Sequence, residues 1–384
     1  MILVLYLTSL GLSESKTGML LTATLVGDTA VSLYLTTQAD RVGRRRMLIA
    51  GAFLMAAAGL VFAWTRSFLL LIIAGTIGVI SPSGNEVGPF LAIEQAALSY
   101  VVPGRLRTGV FAWYTMAGSF ATALGSLVGG GIAQFMQRVD TASPVNSYRA
   151  VVVLYGVIGF VLAFLFTRLS PAAEVLQSSA DEAQTRLFGI SRRSRDVVLK
   201  LSALFALDSF AGGFVVQSFA AYWFHLRFGS DAGSLGAIFF GANLFAGISA
   251  LLASRLAARF GLVRTMVFTH LPSNVLLILV PLMPTLPLAI SVLLLRFSIS
   301  QMDVPTRQSY VMAVVQPQER SAAAGITGVA RTTGAAIAPL LTGLMFAHPS
   351  LMNLPFLVAG TLKIIYDVLL YRQFIAVHPP EETT

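Results

Sequence analysis

Long apolar segments separated by short polar loops follow one another along almost the whole chain. A helix needs about 20 mostly apolar residues to cross a bilayer, and the segments that meet this length predict membrane helices at 18–39, 47–64, 68–90, 109–135, 150–167, 197–224, 234–253, 265–280, 288–315, 322–346 and 351–371. The apolar segment 1–12 is too short to cross, and we interpret it as the outer part of a first span whose beginning is missing from this chain.

A polar segment divides these spans into two sets. Residues 169–196 carry eight charged side chains before the apolar pattern resumes. The segment 40–46 after the second span and the segment 258–264 after the eighth occupy matching places in the two halves, which is typical of a parallel repeat. We therefore predict two parallel six-helix bundles, with the following organisation: N-terminal bundle 1–168, linker 169–196, C-terminal bundle 197–371 and tail 372–384.

Helix-breaking residues interrupt one apolar segment in each half. Pro82 and Pro89 flank Glu86 in the first half, and Pro305 follows Asp303 in the second. Lipid cannot satisfy the backbone groups that a break frees, so such breaks survive only against protein or a water-filled cavity. Paired interruptions of this kind predict a solute-binding site between the spans.

Composition and charge support a membrane protein. The chain is 56% hydrophobic, 11% charged and has a mean hydropathy of +0.78. The formal charge of +9 comes from loop arginines that fall mostly on the side of the 40–46 loop, which places both termini and the linker in the cytoplasm. We predict a multi-pass protein of the cell membrane and no nucleic-acid partner. The chain has no cysteine, and it shows no metal-binding, cofactor-binding or catalytic motif, so an enzyme is not favoured.

Charged residues inside the spans are candidates for solute or proton binding, because a charge at membrane depth is costly. Asp28 and Asp208 are placed near the midplane as proton carriers, or as carboxylates paired with a base on another helix. Asp303 is either functional or ion-paired with Arg307 one turn away. The remaining candidates are Glu86, which has no cation nearby in sequence, Arg331, which either neutralises an acid or binds an anionic solute, and the cavity-lining residues Asn85, Gln217, Asn243 and Gln301.

Two further patterns do not indicate solute or proton binding. Lys363 and Asp367 have i, i+4 spacing in the last span and resemble a self-neutralising pair. The four histidines, His270 among them, fall near predicted loops or span ends without ligand spacing, and are expected to be solvated or interfacial.

The segment 36–46 resembles the loop signature of the major facilitator superfamily, Gly-x-x-x-Asp-x-x-Gly-Arg-Arg. Asp40, Gly43, Arg44 and Arg45 match it, while Thr36 replaces the leading glycine. The resemblance implies twelve spans in two bundles, alternating access to a central site, and a gating role for these four residues. The alternative is that the arginines only set the topology.

A second segment, 121–130, resembles the fifth-helix antiporter signature of that superfamily, with Gly125, Gly129 and Gly130 in agreement; close helix packing is the alternative. The arginine that proton antiporters often carry in the fourth helix is absent, since 68–104 has no Arg or Lys. We predict a monomeric transporter whose partners are a small organic solute, protons and the bilayer, acting by proton-coupled efflux. Proton-coupled uptake, or a transporter-like receptor or scaffold, is the alternative.

Overall fold

The computed structural model describes residues 1–78, 80, 88–102, 104–139, 143–170, 174, 192–315 and 319–376. In these ranges the regular structure is helical. The helices are α1 Leu3–Ser9, α2 Glu14–Val42, α3 Arg44–Trp64, α4 Phe68–Ile77, α5 Gly88–Val101, α6 Gly104–Val139, α7 Pro144–Phe166, α8 Arg192–Gly213, α9 Gln217–Phe228, α10 Ala232–Phe260, α11 Leu262–Leu279, α12 Leu286–Ser300, α13 Asp303–Ala313, α14 Arg320–Phe346 and α15 Leu354–Phe374.

Ten helical stretches in the described part are long and apolar enough to cross a membrane, and α4 is a shorter apolar helix. Many of their large apolar side chains are exposed, as expected for a surface that faces lipid rather than water. The prediction of an all-helical polytopic membrane protein is confirmed.

The interruption predicted in the second half is present between α12 and α13. Helix α12 ends at Ser300 and α13 begins at Asp303, so Pro305 lies in the first turn of the new helix, where its missing N–H is not needed. The backbone N–H of Gln301, freed by the break, donates to Ser249 Oγ at 3.2 Å. In the first half, α4 ends at Ile77 and α5 begins at Gly88, and the segment 81–87, with Asn85 and Glu86, lies outside the described residues.

The predicted span 197–224 lies within the candidate membrane span Ser194–Phe228, and it contains a helix break that was not predicted. Helix α8 ends at Gly213 and α9 begins at Gln217. The N–H groups of Phe214 and Val215 donate to carbonyls three residues back, which tightens the end of α8, and Val216 then adopts extended backbone angles. The adjacent glycines at 212 and 213 weaken the helix at this point.

The chain divides into two compact units. The N-terminal unit comprises Met1–Tyr114, Gly125–Thr185 and Val216–Ala237, and the C-terminal unit comprises Thr115–Leu124, Arg186–Val215 and Ile238–Thr384. Buried side chains of α2, α3, α5 and α7 form a core in the N-terminal unit. In the C-terminal unit the corresponding core joins α8, α11, α13, α14 and α15.

The glycines of the segment 121–130 differ in what surrounds them. A Cβ added at Gly130 would lie 2.4 Å from the carbonyl oxygen of Ala232 and 2.8 Å from the Cα of Gly236, so α6 and α10 approach closely here. A Cβ at Gly125 or at the neighbouring Gly131 would meet no atom within 4 Å. Gly130 therefore has a clear packing reason to be glycine, whereas Gly125 has none in this structure.

We expect Gly130→Ala to lower stability by about 1–3 kcal/mol, because the added methyl group would force α6 and α10 apart. Gly131→Ala is the matched control in the same helix and should be neutral or stabilising by up to about 1 kcal/mol, since alanine favours a helix. Thermal unfolding of the two variants in detergent measures the difference. Equal unfolding temperatures would contradict the packing role of Gly130.

Candidate functional site

Four helices of the C-terminal unit, α8, α11, α13 and α15, bring ionisable side chains together in a buried group. We call this group the ion cluster, and its members are Asp208, His270, Asp303, Arg307, Lys363 and Asp367. All six are less than one-tenth exposed. Three carboxylates inside membrane-spanning helices require compensating charge, and the cluster supplies it from within the same unit.

Asp208 on α8 is the centre of the cluster. Lys363 Nζ donates to its Oδ1 at 2.6 Å, and Arg307 donates to its Oδ2 at 3.1 Å. Arg307 is also 3.4 Å from Asp303 Oδ2, one turn earlier on α13. The carboxylate of Asp208 is thus bound by two cations from two other helices, which is the paired arrangement named above as the alternative to a lone proton carrier.

His270 on α11 lies between two of the carboxylates. Its Nδ1 is 2.8 Å from Asp367 Oδ1 on α15, and its Nε2 is 3.8 Å from Asp208 Oδ1. Asn274, one turn along α11, donates to the other oxygen of Asp367 at 2.8 Å. Asp367 and Asn274 therefore fix the orientation of the imidazole, and its Nε2 is directed towards Asp208.

Two sequence-based interpretations are wrong at this cluster. Lys363 and Asp367 do not neutralise each other, because Lys363 reaches Asp208 while Asp367 turns to His270 on the neighbouring helix. His270 is neither solvated nor interfacial; it is 5% exposed. Its position eight residues into α11 places it about 12 Å from the start of that helix. The i, i+4 spacing on one helix carries no information about partners on other helices.

Aromatic side chains enclose the cluster. The guanidinium of Arg307 lies over the ring of Phe205 at 5.4 Å, a favourable cation–π distance. Tyr366 packs edge-on against the His270 ring at 5.9 Å and is itself 2% exposed. Because the cluster is buried, its charges interact more strongly than they would at a surface.

Three side chains of the cluster are close enough together to bind a metal ion, but basic side chains already neutralise their carboxylates. Ligand atoms of Asp208, His270 and Asp303 lie within 4.8 Å of one another. Lys363 and Arg307, however, already hold the carboxylates in ion pairs, and a divalent cation would have to displace both. We therefore interpret these residues as an ion-pair network.

The other predicted site residues are spread over both units. Asp28 in α2 is 9% exposed and accepts from Ser32 at 3.4 Å, and Gln217 donates to Ser126 at 3.2 Å, both in the N-terminal unit. In the C-terminal unit, Asn243 donates to a carbonyl of its own helix, that of Phe239, at 2.7 Å. Gln301 lies at the break between α12 and α13, and Arg331 lies part-way along α14. The structure therefore brings Asp208, Asp303 and Arg307 together, and it adds His270, Lys363 and Asp367.

The predicted gating loop is held by a residue from beyond α7. Gly43 joins α2 to α3 with a φ of 110°, which favours glycine. The carboxylate of Glu174 accepts from the backbone N–H of Arg44 at 2.7 Å and from that of Arg45 at 3.0 Å. It thereby satisfies two of the free donors at the start of α3. The side chain of Asp40 lies outside the described residues.

We expect Glu174→Ala to speed hydrogen–deuterium exchange of the backbone amides at 44 and 45 by at least tenfold, because both lose their acceptor. Glu174→Gln retains one acceptor oxygen and should give an intermediate rate. Amides in the middle of α3 serve as the internal reference. Unchanged exchange at the start of α3 in Glu174→Ala would show that the contact does not hold the loop in solution.

Comparisons with known proteins agree with this architecture. The sequence model of the Major Facilitator Superfamily matches residues 1–301 and 209–384. An uncharacterized membrane protein of Saccharomyces cerevisiae, YJR124C, is 30% identical over 403 aligned residues, which cover 98% of this chain and 90% of the yeast protein.

Solved transporters share the fold at low sequence identity. A D-xylose–proton symporter superposes with a TM-score of 0.74 at 16% identity, covering 97% of this chain and 91% of the symporter. A bacterial homologue of the human lysosomal transporter Spinster, in an inward-facing, occupied conformation, gives a TM-score of 0.69 at 15% identity, covering 97% and 93%. With a family match that extends over both halves, the chain belongs to the Major Facilitator Superfamily.

Proposed function

We propose that this chain is a secondary active transporter that moves a small organic solute across a cell membrane, driven by protons that bind at the ion cluster. The superfamily fold supports membrane transport by alternating access. The observation that carries the proton coupling is the position of His270 between Asp367 and Asp208. Histidine is the side chain whose charge changes most readily near neutral pH.

The contacts of His270 define which nitrogen exchanges the proton. An ionised Asp367 can only accept, which favours the proton on Nδ1, although Asn274 Nδ2 also lies 3.1 Å from that atom. We therefore propose Nε2 as the atom that gains or loses a proton. The acids that interact with the ring are Asp208, Asp303 and Asp367, and Tyr366 packs edge-on against it. Lys363 and Arg307 contact Asp208, and Arg296 on α12 interacts electrostatically with Asp208 and Asp303. A proton on Nε2 places a positive charge beside Asp208, and its loss removes one.

Charge balance connects this proton to the conformation. The direct contacts of the cluster join three carboxylates to Lys363, Arg307 and His270, so its acids and bases are equal in number when His270 is protonated. Deprotonation removes a positive charge from beside Asp208 and Asp367 and weakens the attraction between α11 and its neighbours. A proton that stabilises one arrangement of these helices more than another shifts the equilibrium between them.

Efflux is the direction that we propose, because residues 121–130 partly match the antiporter signature. Proton-coupled uptake is the second candidate, because a proton symporter shares the fold. In either case we place the termini and the linker in the cytoplasm, on the side of the basic loops, and propose a monomer as the working unit.

Purified protein in proteoliposomes tests the proposal. A thermal-shift screen first selects solutes that raise the unfolding temperature of the protein. Each selected solute is loaded on one side of the membrane, and a pH gradient is imposed in one direction and then in the other. A pH-sensitive dye reports proton movement. The proposal predicts solute flux that follows the gradient and solute-dependent proton movement. Flux that ignores the gradient would reject proton coupling, and binding without any flux would identify a receptor or scaffold. The relative directions of solute and proton movement separate the two candidates. Opposite directions indicate proton-coupled efflux, and the same direction indicates proton-coupled uptake.

A further inference from the structure

A carboxylate of the N-terminal unit has an environment unlike that of the ion cluster. Glu94 on α5 is half-buried, and it accepts a short hydrogen bond from the hydroxyl of Tyr114 on α6. Within the described residues Tyr114 is its one hydrogen-bond partner, and no ion pair reaches it. The tyrosine orients the carboxylate but does not neutralise it.

The sequence explains why no base compensates Glu94 locally. The whole stretch from Phe68 to Gly104 contains neither arginine nor lysine. In the C-terminal unit, by contrast, Asp208, Asp303 and Asp367 each contact a basic side chain. Glu94 therefore differs from the three carboxylates of the ion cluster, because its partner is a tyrosine and theirs are basic side chains.

Tyr114 lies at the start of the candidate membrane span Trp113–Val139, and Glu94 lies on α5, which is not among the candidate spans of the described residues. Helix α6 is continuous from Gly104, and Tyr114 is seven residues beyond Arg107, which corresponds to about 10 Å of helix above the basic loop. A half-buried negative charge is costly unless a positive charge or hydrogen bonds compensate it. Because the described chain offers none at Glu94, a cation from outside the protein would relieve the cost.

We propose that Glu94, oriented by Tyr114, binds the transported solute, and that this solute is an organic cation with a protonated amine or a quaternary nitrogen. A carboxylate beside a tyrosine ring provides both the ionic and the aromatic contact that ammonium groups favour. This inference rests on the proposed transport function, and it assigns the solute to Glu94 and the proton to the ion cluster.

The test compares matched cations and neutral molecules. Primary amines and quaternary ammonium ions are each paired with an uncharged isostere, for example choline with 3,3-dimethyl-1-butanol, and binding to the purified full chain is measured by calorimetry. We expect cations to bind more tightly than their isosteres, and Glu94→Gln, which keeps an acceptor for Tyr114, to weaken cation binding at least tenfold. Glu94→Asp should retain part of it, and Asp231→Asn in a loop should change nothing.

Two results would overturn the inference: neutral isosteres that bind as tightly as the cations, or cation binding that survives in Glu94→Gln. These results are distinct from a failure of the proposed function. If wild-type proteoliposomes show pH-driven flux of neutral or anionic solutes, and Glu94→Gln shows the same flux, transport stands and the cation assignment fails. If cations bind at Glu94 but no solute moves, the assignment stands and transport fails.

Discussion

Replacing His270 with glutamine is expected to reduce pH-driven solute flux more than tenfold while leaving solute exchange across the membrane intact. Glutamine can still hydrogen-bond to Asp367, but it cannot gain or lose a proton at the position of Nε2. The pH gradient can therefore no longer drive transport through this residue. Proteoliposome flux would be measured twice, once with a pH gradient and once with labelled solute exchanging against unlabelled solute at equal pH. Exchange requires the conformational cycle but not net proton movement.

His225→Gln is the matched control for this prediction. His225 is exposed near the end of α9, and its ring contacts the carbonyl of Ser230 rather than an acid. Its replacement should leave both kinds of flux unchanged. If His270→Gln keeps full pH-driven flux, His270 is not the residue that carries the coupled proton. If the variant loses both exchange and pH-driven flux, His270 maintains the structure of the cluster instead.

Much of the fold was accessible from the sequence because lipid restricts the choices. A segment that crosses a bilayer as a single chain must be largely apolar and helical, and most basic residues lie in loops. The break before Asp303 was predictable for the same reason, since Ser300–Arg307 combines an acid with a proline inside an apolar segment. The break after Gly213 was not predicted, because the apolar run 210–216 continues across it and glycine is frequent in membrane helices.

The cluster was only partly predictable. Asp208 and the Asp303–Arg307 pair were identified as charges inside spans, and for Asp303 and Arg307 the i, i+4 spacing also indicated the contact. The partners from other helices were not identified, since Lys363 is 155 positions from Asp208 and Asp367 is 97 positions from His270. Which face each helix turns to its neighbour depends on packing over the whole unit, and spacing along one helix does not record it.

Lys363→Met tests whether the ion pairs are needed for stability. Methionine fills a similar volume but leaves Oδ1 of Asp208 without its closest cation. Removing one partner of a buried ion pair costs about 3–5 kcal/mol, because the remaining charge is left uncompensated. Arg307 still contacts Oδ2, so we expect a loss near the lower end, about 3 kcal/mol. The unfolding temperature of the purified variant in detergent measures it.

The double variant Asp208→Asn, Lys363→Met decides whether that loss comes from charge or from packing. Both members of the pair are then neutral, and buried ion pairs replaced as a pair are often close to neutral for stability. We expect the double variant to recover most of the unfolding temperature lost in Lys363→Met, with an interaction free energy of about 2 kcal/mol or more between the two sites. If the two single losses simply add, the contact at 2.6 Å contributes no pairwise stabilisation, and Lys363 acts through packing against α8 near Gly212.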